Sequence, residues 1–160
     1  MGASRQDVIA ELNSVRSDVD RLVAATPAGA WAKVVYGGGW DARQLLSHMA
    51  STSGVANFIL MMAQGPAGAA GGGGGYDIDQ FNAQQVAMRA ERTVAELLDE
   101  IRSNLARDIA AVEKAPEELM SRAFKAPWDV EGPVADVIVA SLRGHFRGHL
   151  AELAAALQLR

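Results

Sequence analysis

Apolar positions along this chain recur at helical rather than strand spacing. Val8, Leu12, Val15, Val19 and Leu22 step alternately by four and three, which lines one face of a helix. Ser4 is placed to cap that helix, Asp7 stands in its first turn where the helix dipole favours a carboxylate, and Pro27 marks the stop. A second face carries Leu45, Met49, Thr52, Ala56 and Ile59 with His48 at its edge, on a helix predicted to run to about Ala63. Its entry is written as Trp40-Asp41-Ala42-Arg43-Gln44-Leu45: Asp41 as N-cap, Gln44 closing a capping box, and Trp40 able to staple onto Leu45.

Between residues 26 and 39 the pattern is irregular, and Gly65-Pro66 breaks the second helix. The glycine-rich stretch 65–75 reads as a flexible crossover rather than a packed element, a candidate lid over a pocket. A third helical region opens at Tyr76-Asp77-Ile78-Asp79, with Asp79 as the expected N-cap, and Thr93 with Glu96 signals a kink or restart inside it. Leu97, Leu98, Ile101, Leu105, Ile109 and Val112 then hold helical spacing as far as Pro116. Residues 116–131 are expected to be irregular, with Trp128 pinning the loop to the core, and Pro133 stands in the first turn of the last helix. That helix aligns Val134, Val137, Ile138, Ser141, Leu142, His145, His149, Glu152 and Leu153 along one side. No alternating pattern of useful length appears. The reading is all-α, a four-helix bundle with a long crossover connection, formed by residues 1–160 as a single domain.

Composition narrows the partners. The net charge of −4 and pI near 5.3 argue against a nucleic-acid backbone, which calls for clustered Lys and Arg. No apolar run reaches the roughly 20 residues that span a bilayer, and the amino terminus lacks the apolar segment of a signal peptide, so no membrane partner and a cytoplasmic location are expected. A homodimer is expected to bury leftover apolar surface, with Phe58, Met61 and Met62 assigned to the core or to that interface. Cysteine is absent, so any thiol chemistry must use a small-molecule thiol.

The three histidines carry the chemistry. His145 and His149 stand four residues apart, on one face of a helix, where two imidazoles can chelate a divalent metal. His48 would complete three nitrogen ligands and leave a position open, as catalytic metal sites do. Such a position lowers the pKa of a bound water or deprotonates an incoming thiol. Nitrogen-only ligation suits Zn, Ni, Cu or Fe and disfavours Mg and Ca. Gln44 and Thr52 lie a turn either side of His48, Ser141 a turn before His145, and Glu152 three residues after His149. Each is a candidate partner for a ligand's second nitrogen or an ordinary helix residue. Phe146 occupies the place of the zincin glutamate, which disfavours a protease.

The stretch Gly39-Trp40-Asp41-Ala42-Arg43-Gln44-Leu45-Leu46-Ser47-His48-Met49-Ala50 resembles the opening of the second helix in the DinB-like superfamily. His145-Phe146-Arg147-Gly148-His149-Leu150-Ala151-Glu152-Leu153 is similar to that superfamily's last-helix HxxxH. Asp79-Gln80-Phe81-Asn82, with Val86 and Arg89, resembles the middle segment of the branch around the N-terminal domain of mycothiol-dependent maleylpyruvate isomerase. The resemblance implies a bundle holding a divalent ion, most often zinc or nickel, on His48, His145 and His149. It implies transferase or isomerase chemistry on a small electrophilic substrate with a low-molecular-weight thiol such as mycothiol, bacillithiol or glutathione. Asn82 and Arg89, with Asp79, become pocket candidates, although Asp79 and Asn82 also fit a capping role. Arg89, Arg143 and Arg147 are placed either to grip a cofactor's carboxylates or to form surface pairs. The isomerases carry a glutamate where this chain has His145, and a second, C-terminal domain not present in this sequence. In that respect the chain resembles the all-histidine, bacillithiol-transferase-like branch. A metal-dependent hydrolase of a small molecule, and a non-catalytic protein that binds a metal or small molecule in detoxification or resistance, remain the alternatives.

Overall fold

Four rods pack around a core of aliphatic side chains in the computed structural model, which describes residues 2–35, 39–65 and 77–158. The first rod is helix α1, Arg5–Ala25, opened by the Ser4–Asp7 capping box and burying Val8, Leu12, Val15, Val19 and Leu22. The second is made of α2, Ala42–Thr52, and α3, Val55–Gln64. The third is α5, Val94–Lys114, opened by the Thr93–Glu96 capping box. The fourth joins α7, Val134–Ser141, through a π-helical turn, Leu142–Phe146, to α8, Arg147–Ala156. α5 packs against α1, α2 and α3, and the fourth rod closes the bundle against the same three. Helix α4, Ile78–Ala87, lies against α2. The fold is all-α and bundle-like, as the periodicity predicts.

Several local expectations are corrected. The N-cap of α4 is Asp77, whose carboxylate takes the N–H groups of Asp79 and Gln80, so Asp79 sits inside the helix. Residues 116–131 are not wholly irregular. They include a short helix α6, Glu117–Met120, and strand β1, Ala123–Lys125, which pairs antiparallel with β2, Glu131–Pro133. Three-residue strands are too short for an alternating signature to register. Pro133 ends β2 and stands at the N-cap of α7, one place earlier than its expected position in the first turn. Trp128 does pin the hairpin: its indole N–H donates to Ser141 Oγ at 3.1 Å, while its ring stacks on Phe58 and stays 43% exposed. Phe58 and Met61 are exposed and leave the core, whereas Met62 packs against it. Apart from Gly65, the C-cap of α3, the glycine-rich crossover lies outside the described residues.

The helix expected to run unbroken to Ala63 is interrupted at Ser53-Gly54. By length and composition alone Ala42–Gln64 would suit a bilayer crossing, its most apolar 18-residue window having a mean hydropathy of 1.2. Polar residues such as Gln44, Ser47, His48 and Asn57 nonetheless interrupt any continuous apolar run. More than half of that window, 56%, is buried, because the apolar faces of α2 and α3 pack in the bundle. Two residues of α5, one turn apart, stitch the interruption. Asn104 donates to the carbonyl of Ala50 and to Ser53 Oγ, satisfying the end of α2. Asp108 accepts the N–H groups of Ala56 at 3.0 Å and Asn57 at 2.9 Å, capping α3 from a neighbouring helix because Gly54 has no side chain to do so.

Candidate metal centre

His48 stands on α2 and is almost wholly buried, with 3% of its surface exposed. Its position is set locally. The Asp41–Gln44 capping box fixes the start of α2, and the hydroxyls of Ser51 and Thr52 donate back to the His48 carbonyl at 2.7 and 3.1 Å. His145 comes from the π-helical turn, where Arg147 N–H bonds the carbonyl of Leu142, and His149 from the first turn of α8. A π turn is a frequent device at functional sites because it re-aims side chains within an otherwise regular helix.

The three rings converge. Their centroids lie 5.1 Å apart for His48 and His145, 5.1 Å for His48 and His149, and 4.6 Å for His145 and His149, each pair edge to face. One nitrogen from each falls within 4.8 Å of the others. Burial descends from His48 to His149 to the exposed His145, so the cluster opens outward at His145. Among the described residues, Nδ1 of His48 is buried without a hydrogen-bond partner. An unpaired buried ring nitrogen beside two further imidazoles fits a ligand set that takes a soft or borderline cation. Burial lowers the pKa of His48 to about 4, with help from the other two imidazoles. His145 is likewise lowered to about 4, first by the protein packed behind its ring and then by His149, with Glu152 opposing. Both are neutral at pH 7, the form that donates to a metal.

The same helix is clamped from its other side. Arg143 and Arg147 alternate with the two histidines, and both pair with Glu11 of α1, a carboxylate 8% exposed. Arg147 also reaches Asp18 and Ser14. Their guanidinium groups therefore turn to α1. A cleft of about 450 Å³ lies on that opposite side of α8, between Leu22 and Ala25 of α1 and Leu150, Ala151 and Ala154 of α8, and the histidines do not line it.

The other candidates are placed unevenly. Glu152 reaches the centre, its carboxylate 2.8 Å from Nδ1 of His149. Thr52 touches only the His48 backbone. Gln44 is used in the capping box, and Ser141 hydrogen-bonds Val137 and Trp128. Arg89 is taken up by Glu100 and Gln85, and Asn82 lies half-buried within α4, where it caps nothing. Sequence reasoning did not place Trp40 at the site. Its indole packs on His48 with ring centroids 5.3 Å apart. A bridge between Val34 and Asp41, and a bond from Val35 N–H to the Trp40 carbonyl, hold the loop that presents it. The signal was the place of Trp40 immediately before the Asp41 N-cap, at the mouth of the helix that carries His48 two turns on.

Residues 12–146 match the mycothiol maleylpyruvate isomerase N-terminal domain. The chain belongs to that family. Its fold is accordingly DinB-like. Among solved structures, a histidine-to-alanine mutant of the mycothiol-dependent maleylpyruvate isomerase superposes with a TM-score of 0.66 at 11% identity. The match covers 98% of this chain and 60% of that one, so this chain spans about three-fifths of the relative's length. At that identity the likeness concerns the fold. No curated protein matches the sequence.

Proposed function

We propose that this family member is a metal-dependent, thiol-using isomerase or transferase acting on a small electrophile. The observation that carries the reading is the convergence of three imidazoles, one nitrogen of each within 4.8 Å of the others, on a site that opens to solvent. His48, His145 and His149 would hold a zinc or nickel ion through neutral nitrogens. Bound there, such an ion would supply Lewis acidity and favour the thiolate form of a small thiol at neutral pH. The protein's own part is to set the ligands. Buried His48 fixes the floor, the π turn and α8 present the other two, and Trp40 walls one flank of His48. Membership of a family described by a mycothiol isomerase supports a thiol as co-substrate. The cytoplasm, where small thiols are kept reduced, is the proposed setting. Exposed Phe58, Met61 and Trp128 offer an apolar face for a homodimer.

The test combines metal analysis with turnover. Mass-spectrometric metal content should be stoichiometric for the native protein and lost in His149→Ala, which leaves the helical circular dichroism intact. Turnover of maleylpyruvate and related electrophiles should require mycothiol, bacillithiol or glutathione. Turnover with water alone would instead identify a hydrolase, and tight binding without turnover a sequestering protein. Full metal content in His149→Ala removes the centre on which the proposal stands.

A further inference from the structure

Glu152 stands three residues after His149, on the same face of α8, and its carboxylate oxygen lies 2.8 Å from Nδ1 of that ring. We propose that Glu152 is a positioning residue for the imidazole cluster: it accepts the Nδ1–H of His149, fixes that tautomer, and leaves Nε2 as the nitrogen turned toward His48 and His145. Its consequence for metal affinity rests on the function proposed above; its effect on the ring does not.

Three observations support the assignment. First, the side chains are unequally exposed, 12% for His149 and 46% for Glu152, so the carboxylate sits at the mouth with access to water and orders a ring that is mostly covered. An anion so placed escapes the desolvation cost a buried one would carry. Second, the arginines of the same segment are drawn away, Arg143 and Arg147 both bonding Glu11 across α1. They do not compete for Glu152 through those bonds. Third, the histidines differ in support. Nδ1 of His48 is buried without a partner, whereas Nδ1 of His149 has an acceptor. Neutral imidazole otherwise tends to carry its proton on Nε2, the nitrogen that would then be blocked from donating into the cluster. An acceptor at Nδ1 reverses that preference and makes Nε2 a better donor.

Two measurements test this. In the metal-free protein at pH 8.5, two-bond nitrogen–proton correlation spectra should show the His149 proton on Nδ1 in the native chain and in Glu152→Gln, whose amide oxygen still accepts. In Glu152→Ala the proton should move to Nε2. Zinc affinity, measured by competition with a chromophoric chelator, should fall about 10- to 100-fold in Glu152→Ala and largely recover in Glu152→Gln. The control Glu118→Ala, on an exposed helix turn, should change neither. An unchanged tautomer in Glu152→Ala, or unchanged affinity alongside a native protein that binds zinc, overturns the assignment. If the native protein binds no zinc, the metal reading falls and the tautomer alone decides the role of Glu152.

Discussion

His48 and His145 both titrate at about 4 in the folded protein, against 6.5 for an ordinary imidazole. For each, the unfolded chain binds the proton more readily than the native state between those two values. Their neutral forms therefore contribute fully to stability above about pH 6.5 and lose that contribution as the pH falls toward 4. Asp108 acts in the opposite sense. Burial raises it from 3.8 to about 6, opposed by the N–H groups of Asn57 and Ala56, so its neutral form favours folding at low pH and that gain is lost as the pH rises through 6. The two effects overlap between pH 4 and 6, and a variant is needed to separate them. Removing the exposed ring in His145→Gln should flatten the fall in stability of the metal-free protein between pH 6.5 and 4, read by urea denaturation at a series of pH values. An unaltered slope in that variant would mean that His145 titrates normally in the folded state.

At the scale of an element, the interruption at Ser53-Gly54 depends on α5. Asp108 is fully buried and is the acceptor for the first N–H groups of α3, so Asp108→Ala leaves buried donors unpaired. The expected cost is about 1–3 kcal/mol, seen as a lower urea midpoint with an unchanged slope, and Asp108→Asn should recover part of it. A midpoint equal to that of the native protein would show that water replaces the cap. The interruption was not legible in the sequence, because Leu45, Met49, Ala56 and Ile59 keep one helical period across it and only the tertiary partner marks the break. The π turn escaped notice for a similar reason. The positions through it and on either side, Val134, Val137, Ile138, Ser141, Leu142, His145 and His149, keep ordinary helical spacing in the sequence. The capping boxes at Asp41 and Thr93 were legible in full, since each is a local hydrogen-bond exchange between side chain and backbone. At Ser4 the cap was legible, whereas the reciprocal bond from Asp7, read only as a dipole partner, was not. Histidine spacing gave the pair on the last helix, and packing alone could bring in His48. Arg89 shows the limit: its guanidinium suited an anionic ligand in sequence terms, and Glu100 of α5 claims it in the fold.

For the whole molecule, the centre joins rods that are distant along the chain. His48 belongs to the second rod, and His145 and His149 to the last, so an ion held by all three would tie α2 to α8 across the bundle. An ion bound by the native state and not by the unfolded chain stabilises by mass action, by about 4 kcal/mol at a thousandfold excess over the dissociation constant. For a chain of this length each kcal/mol moves the melting temperature by about 2–4 °C, so zinc or nickel should raise it by on the order of ten degrees. Magnesium should not, because an all-nitrogen set suits it poorly. Thermal melts followed by circular dichroism on chelator-treated protein read the effect directly. His145→Gln supplies the comparison, since its side chain is exposed and its loss leaves the core untouched. With two imidazoles left on separate rods the tie is weakened, and most of the rise should disappear. A shift of equal size in His145→Gln would place the ion elsewhere on the protein, and the three rings would then meet for packing rather than for chemistry.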